Sequence, residues 1–210
     1  MTTRLPIIGL TGGIGSGKST VARLLEELGC VVSNSDADGR AALTDPLIHE
    51  TIVTWWGPGV LNETGAVDRT AVAEIVFNDL SERRRLEGLT HPWIEARRVE
   101  RFAAAPPDAT ALVIDAPLLI EAGLHRQCDA VIFVDASLET RLTRLVTTRA
   151  WSDAELRRRE DSQLPLDVKR SKADYVLRNE DDLTALSTQV RATLETIRRR
   201  FSSASRQDGD

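Results

Sequence analysis

A glycine-rich segment near the amino terminus constrains the fold of this chain more than any other feature. Glycines occupy positions 12, 13, 15 and 17, and Lys18 and Ser19 follow directly, which fits the spacing G-x-x-x-x-G-K-S. Residues 5–10 before it are apolar, and residues 18–28 carry apolar side chains at helical spacing. In such a strand, loop and helix, backbone N–H groups and the positive helix end bind a polyphosphate. The segment therefore predicts a nucleotide-binding α/β fold.

The residues of this loop have distinct expected roles. Lys18 can reach the β- and γ-phosphates of a nucleotide, and the hydroxyl of Ser19 can coordinate Mg²⁺. The alternative is a flexible glycine turn, which we disfavour because the lysine, the serine, the strand and the helix are all in place. The residues expected to bind the nucleotide are Gly12, Gly13, Ile14, Gly15, Ser16, Gly17, Lys18, Ser19 and Thr20.

The composition of the whole chain narrows the class of partner. Its 210 residues are 41% hydrophobic and 28% charged, as in an ordinary globular protein. A net charge of −5 argues against nucleic acid as the main partner, and no apolar run approaches the ~20 residues that span a membrane. Cys30 and Cys128 fit no metal-ligand spacing, and the amino terminus lacks a signal-peptide pattern. We expect a cytoplasmic monomer that acts on a small molecule.

Four further apolar segments predict that the loop belongs to a parallel sheet. They cover residues 30–33, 111–115, 130–135 and 175–177, and helical patterns separate them. Strands that alternate with helices form parallel sheets, so we expect five parallel strands flanked by helices. The third strand ends at Asp115, where a carboxylate in an NTPase site orients Mg²⁺ or its water.

Residues 40–105 interrupt this alternation with a helical pattern in which His91-Pro92 opens one of the helices. We expect a helical insertion between the second and third strands, inside one domain of residues 1–201. The second strand is followed by Asn34, Asp36 and Asp38, which we expect to face the phosphate loop. Asp36 or Asp38 could also cap a helix.

Positive charge is concentrated late in the chain. Residues 141–172 contain nine basic and five acidic residues, although the chain as a whole is negative. A basic helical hairpin beside a phosphate loop suggests a lid that closes arginines, here Arg149, onto the phosphates. A solvated charged helix face is the alternative. We expect the lid at residues 145–172 and a polar tail at residues 202–210.

Several motifs discriminate among proteins with phosphate loops. The chain has neither the Asn-Lys-x-Asp motif of GTPases nor the Leu-Ser-Gly-Gly-Gln motif of transporter ATPases. A set of ordered motifs over nearly the whole chain instead resembles the dephospho-CoA kinase family. These motifs are residues 9–20, an acidic segment ending in Arg40, His91-Pro92-Trp93-Ile94, residues 115–121, Gln163-Leu164-Pro165 with Lys169, Ala173-Asp174, and Asn179.

The resemblance implies a P-loop kinase fold with a helical acceptor-binding insertion and a basic lid. It also implies transfer of the ATP γ-phosphoryl group to the ribose 3′-hydroxyl of dephospho-coenzyme A, with Mg²⁺. Carried over position by position, it implies a nucleotide-binding role for Asn179 and catalytic roles for Lys18 and for residues 34 and 36. The catalytic role expected for Arg149 comes from the predicted lid. The implied acceptor-binding residues are Thr11, Arg40, His91, Leu118 and Glu121, and the implied metal ligands are Ser19 and Asp115.

The chain departs from the family at the expected catalytic base. The family has Asp at the end of the second strand, a second Asp two residues later and Arg six residues after the first. Counting back from Arg40 places Asn34 in the first position and Asp36 in the second. Asn34 cannot accept a proton, although it could orient the acceptor hydroxyl. A shifted register would use Asp36 and Asp38, but it spoils the spacing to Arg40, so we favour the ungapped register. Another P-loop metabolite kinase, or a nucleotide-binding protein with weakened catalysis, is the alternative function.

Overall fold

The computed structural model describes residues 4–180 and 182–207, and a parallel sheet organises most of them. Its strands are β1 (Ile7–Gly12), β2 (Val31–Asn34), β3 (Leu112–Asp115), β4 (Ala130–Asp135) and β5 (Tyr175–Arg178). Neighbouring strands pair in parallel, in the order β2-β3-β1-β4-β5. The predicted five-stranded parallel sheet is confirmed. The register places Asp115 level with both Leu10 and Asn34, so the ends of β2 and β3 meet beside the phosphate loop.

The helices fall into two groups along the chain. The helices between β2 and β3 are α2 (Ser35–Ala42), α3 (Pro46–Trp56), α4 (Arg69–Asn78) and α5 (Leu80–Ala103). The helices connected directly to the sheet are α1 (Lys18–Glu27), α6 (Leu138–Arg149), α7 (Asp153–Glu160), α8 (Leu166–Ser171) and α9 (Leu183–Gln207). The chain forms two compact units, a sheet unit and a helical unit of residues Ser35–Ala104. The helical unit corresponds to the insertion that the sequence places at residues 40–105.

The core of the sheet unit forms where apolar strands meet apolar helix faces. All but the last residue of β4 are buried, as expected for a strand covered on both sides. The helix α1 contributes Val21, Leu24 and Leu25 to one cluster with the strands. The same cluster includes a row of buried residues on α9 at helical spacing: Leu186, Val190, Leu194 and Ile197.

The helical unit has its own apolar core, and α5 runs through it without a break. The sequence predicts a helix start at His91-Pro92, and that prediction is wrong, because Pro92 lies inside α5. Proline at this position forfeits one backbone hydrogen bond. Leu86 and Leu89 before it and Trp93 after it pack against the same cluster, so burial on both sides keeps the helix continuous.

The carboxyl-terminal helix is longer than the sequence pattern predicts. We expected its end near Phe201 and a polar tail from residue 202, whereas α9 continues to Gln207. Residues 208–210 of that tail lie outside the described residues. Over the ranges 4–180 and 182–207, no helix has the length and apolar character needed to cross a membrane.

Candidate active site

The phosphate loop joins β1 to α1 and depends on glycine at its last turn. Gly17 has φ +86°, in the left-handed region, and it begins α1. A Cβ built on Gly17 would lie 2.1 Å from Nδ2 of Asn179, which is too close for any side chain. Gly17 is therefore required both by its backbone conformation and by the close approach of Asn179.

Two side chains that are distant in sequence from the phosphate loop donate hydrogen bonds to its backbone. The buried amide of Asn179, which follows β5, donates from Nδ2 to the carbonyl of Ser16 at 2.8 Å. Arg144 of α6 donates to the carbonyl of Asn179 at 3.1 Å and to that of Ser16 at 3.4 Å. Asn179 was implied by family resemblance as a nucleotide-binding residue, and its observed contact is with the loop backbone. No sequence pattern singles out Arg144 from the other basic residues around it.

Two side chains from two other elements, Lys18 of α1 and Asn34 of β2, meet at the carboxylate of Asp115. Lys18 Nζ lies 2.7 Å from Oδ1 of Asp115, and Nδ2 of Asn34 donates to Oδ2 at 2.9 Å. The side chains of Lys18 and Asp115 are 15% and 3% exposed. The parallel register explains the meeting, because β2 and β3 end level with each other beside the loop. A buried carboxylate requires such partners, since an unpaired buried charge is strongly unfavourable.

Two hydroxyls of this segment are buried with no hydrogen-bond partner among the residues that the structure describes. These are Oγ1 of Thr11, at the end of β1, and Oγ of Ser16 inside the loop. Ser19, in contrast, lies exposed in the first turn of α1. A glycine cradle with an unpartnered hydroxyl and a lysine fits the phosphates of a nucleotide.

The arginines of residues 141–172 differ in what they contact. Arg141 of α6 donates from Nη1 to the carbonyl of Ile14 in the loop at 3.2 Å. Arg149, the arginine that the predicted lid would close onto the phosphates, is exposed, and its guanidinium carbon lies 4.9 Å from the ring centroid of Trp151. The arginines of α7 pair with acids of the same helix: Arg157 with Asp153, and Arg158 and Arg159 with Glu155.

A buried lysine holds the loop after β3 to the start of α8. Nζ of Lys169 is fully buried and lies 2.8 Å from Glu121 Oε1, 2.8 Å from Gln163 Oε1 and 3.1 Å from the carbonyl of Pro117. Glu121 also accepts from the backbone N–H of Leu164 at 3.0 Å. Glu121 thus connects the loop after β3 to residues 164 and 169, and Leu118 of the same loop is half-buried.

The helical unit contains the remaining predicted residues. Asp36, Arg40 and His91 are exposed, the first two on α2 and the third within α5. Asp38 is buried and bonded through both oxygens to Arg101, at 2.8 and 2.9 Å. These hydrogen bonds raise the pKa of Arg101 above its ordinary value. Asp36 lies in the first turn of α2, where the negative charge of its carboxylate interacts favourably with the positive end of the helix dipole.

Comparison with known proteins agrees with this geometry. A family model described as dephospho-CoA kinase matches residues 6–185. The chain belongs to the dephospho-CoA kinase family. A relative named dephospho-CoA kinase, from Corynebacterium glutamicum, is 39% identical over 193 residues, which are 90% of this chain and 98% of the relative. The resemblance carried by the sequence motifs is therefore confirmed.

Solved structures give the same result for the fold. A dephospho-CoA kinase from Campylobacter jejuni superposes with a TM-score of 0.66 at 25% identity, covering 92% of this chain and 97% of the other. A crystal structure of a protein from Thermus thermophilus superposes with a TM-score of 0.81 at 34% identity, covering 92% and 98%. The predicted P-loop kinase fold is confirmed.

Proposed function

We propose that this protein phosphorylates the ribose 3′-hydroxyl of dephospho-coenzyme A with ATP, giving coenzyme A and ADP. The observation that supports this most strongly is the Lys18–Asp115 pair beside the glycine loop, in a chain that belongs to the dephospho-CoA kinase family. Phosphoryl transfer asks a protein mainly to align its reactants and to neutralise charge. A loop of backbone donors with a mobile cation at its end supplies both.

Lys18 is the residue to which we assign charge neutralisation. In this structure its ammonium is balanced by Asp115 at 2.7 Å. Phosphate oxygens at the loop offer the ammonium a stronger negative charge, so Lys18 would exchange partners and release Oδ1 of Asp115. The loop N–H groups and the α1 amino terminus would hold the phosphates in line, and Asn179 and Arg144 would keep that loop backbone in place.

We assign Mg²⁺ to the hydroxyl of Ser19 and the carboxylate of Asp115. No three His, Cys, Asp or Glu side chains cluster as a ready-made metal cage within the part of the chain that the structure describes. That fits Mg²⁺, which usually takes one or two protein oxygens and completes its shell with water and nucleotide phosphates. When bound, the ion neutralises charge that develops on the phosphate oxygens.

We assign the orientation of the acceptor hydroxyl to Asn34. Its amide is held by the bond from Nδ2 to Asp115. An amide, unlike a carboxylate, cannot take the proton of the acceptor hydroxyl. A positioned base contributes only ~10²–10⁴-fold, so an asparagine here is compatible with slower transfer. Asp36, two residues later on α2, is the nearest substitute base in the sequence.

The same proposal also covers acceptor binding, the lid, the oligomeric state and the cellular location. We assign acceptor binding to Thr11 of β1, to Arg40 and His91 of the insertion, and to Leu118 and Glu121 of the loop after β3. We assign the lid to residues 145–172, with Arg149 as its catalytic arginine once Trp151 releases it. We propose a monomer in the cytoplasm.

Acceptor-dependent ADP formation tests this function. The purified protein is incubated with Mg·ATP and a panel of acceptors that includes dephospho-CoA, adenosine, shikimate and gluconate. We expect ADP formation to depend on dephospho-CoA, and the product to be coenzyme A by mass. Turnover with a different acceptor would identify another metabolite kinase. ATP binding without transfer to any acceptor would identify a nucleotide-binding protein.

A further inference from the structure

The guanidinium of Arg141, near the start of α6, lies directly against the phosphate loop. Its side chain is 6% exposed, and Nη1 donates to the carbonyl of Ile14. A Cβ built on Gly13 would come within 3.1 Å of the same nitrogen. A full positive charge thus touches the backbone that is expected to surround the phosphates. The family motifs in the sequence give this arginine no role.

Glu160, the last residue of α7, balances the charge of Arg141. Its Oε1 lies 2.5 Å from Nη1 of Arg141, and its side chain is 23% exposed. The other acids of α7, Asp153 and Glu155, pair with arginines of their own helix. Among the described residues of α7, Glu160 is therefore the acid whose ion pair reaches the phosphate loop.

One hydrogen-bond donor of Arg141 is also unused. Its Nε is buried and has no hydrogen-bond partner among the described residues. A buried donor without a partner is unfavourable, and a guanidinium binds phosphate oxygens through several N–H groups at once. An anionic ligand in the loop would therefore gain both the charge and the unused donor of Arg141.

We propose that Glu160 is a built-in competitor of the nucleotide phosphates for Arg141. Without nucleotide, Glu160 neutralises the arginine and holds the end of α7 to the loop. A nucleoside di- or triphosphate in the loop must draw the guanidinium away from this carboxylate. The competition lowers the affinity of the protein for the nucleotide and speeds the release of product. Arg141 is then a positioning residue for the phosphates, and Glu160 sets how tightly they are held. This inference rests on the proposed binding of ATP by the loop.

Nucleotide affinity of Glu160→Gln tests the proposal. Glutamine keeps the size and a hydrogen-bonding oxygen but removes the competing charge. We expect Mg·ADP to bind about tenfold more tightly to this variant than to the parent, with a correspondingly slower off-rate. The matched control is Glu155→Gln on the same helix, whose arginine partners Arg158 and Arg159 are about half exposed. Its affinity should stay within about twofold of the parent. Titration calorimetry and stopped-flow displacement of a fluorescent ADP analogue measure both quantities.

A double-mutant cycle assigns the effect to Arg141. In an Arg141→Gln background, which should bind ADP more weakly, Glu160→Gln should change affinity by less than about twofold. If Arg141→Gln does not fold by circular dichroism, Arg141→Lys replaces it, and there the Glu160→Gln gain should persist because the charge remains. Equal shifts in Glu160→Gln and Glu155→Gln, or a gain that survives in Arg141→Gln, would overturn the proposal. A parent protein that binds ADP but transfers no phosphate would overturn the proposed function and leave this inference standing.

Discussion

The arginines that face the phosphate loop and those on the surface of α7 have the same charge but different environments. Arg141 and Arg144 reach backbone carbonyls of the loop, and the side chain of Arg141 is 6% exposed. Arg158 and Arg159 share Glu155 on their own helix and are about half exposed, at 55% and 47%. Burial strengthens an electrostatic interaction, whereas exposed pairs contribute little. The positive charge of residues 141–172 therefore acts mainly through the few arginines that α6 turns toward the loop.

On the loop side, Lys18→Ala should have a greater effect than any other substitution considered below. It removes the cation that neutralises the γ-phosphate, and comparable losses of charge at phosphoryl-transfer sites cost ~10³-fold or more in kcat. The helix α1 should still form, because alanine has a high helix propensity. Steady-state ADP formation and circular dichroism check the two expectations. Near-normal turnover would remove the loop from the mechanism.

Asn34→Asp should change turnover in the opposite direction. It restores a carboxylate at the position of the family's base, and we expect kcat with dephospho-CoA to rise by up to ~10²-fold. The new carboxylate would lie beside Asp115, and like charges raise the pKa of one of the two groups. The gain should therefore increase as pH rises, because the base must be ionised to act. The measurement is kcat against pH.

The outcome for Asp36 decides the register of this site. Unchanged or lower turnover in Asn34→Asp at every pH, together with abolished activity in Asp36→Asn, would show that Asp36 is the base. The ungapped alignment from Arg40 would then be wrong.

Arg144→Gln and Arg158→Gln form a matched pair across the two environments. Arg144→Gln loses hydrogen bonds to the carbonyls of Ser16 and Asn179, so the free energy of unfolding should fall by about 2 kcal/mol. ADP affinity should also weaken, by roughly tenfold, because the loop backbone loses support. Arg158→Gln should change neither quantity measurably. Urea denaturation and calorimetry compare them, and equal losses would contradict the distinction drawn between the loop-facing and surface arginines.

A substitution on the surface of α7 should have a much smaller effect on stability. Hydrogen bonds from Arg158, followed by those from Arg159, lower the pKa of Glu155 below its ordinary value. A lowered pKa in the folded state stabilises the fold above the ordinary pKa of Glu, near 4.3, and this stabilisation is lost as pH falls through the folded value. Glu155→Gln should shift the melting temperature at pH 7 by about 1 °C or less, and the difference should vanish in acid. Scanning calorimetry at several pH values measures it, and a large shift at pH 7 would show that this exposed pair is not weak.

Much of the sheet unit could be predicted from sequence because its signals are local. The glycine loop and the apolar strands are each specified within a few residues, and the structure confirms them. The meeting of Asn34 with Asp115 could not be seen locally. It depends on the register of two strands that are 81 positions apart in the chain.

Prediction from sequence failed where tertiary packing overrides a local signal. Pro92 usually marks a helix start, but the cluster around Leu89 and Trp93 keeps α5 continuous. Charge counting predicted a basic lid, yet it could not separate Arg141, bonded to the loop, from Arg149, stacked on Trp151. Which face of α6 is buried against the loop depends on contacts more than a hundred residues apart, such as that between Arg141 and Ile14.

The contact between Asn179 and Ser16 bears on when the protein becomes competent during its synthesis. The two residues are 163 positions apart, so the loop leaves the ribosome well before Asn179 does. Domains fold as units, and translation proceeds at only ~5–20 residues per second. The glycine loop is therefore synthesised several seconds before Asn179 emerges and can donate its hydrogen bond to the carbonyl of Ser16. We expect nascent chains that end before residue 179 to bind no nucleotide, so that the loop becomes functional only after a segment made much later has been added.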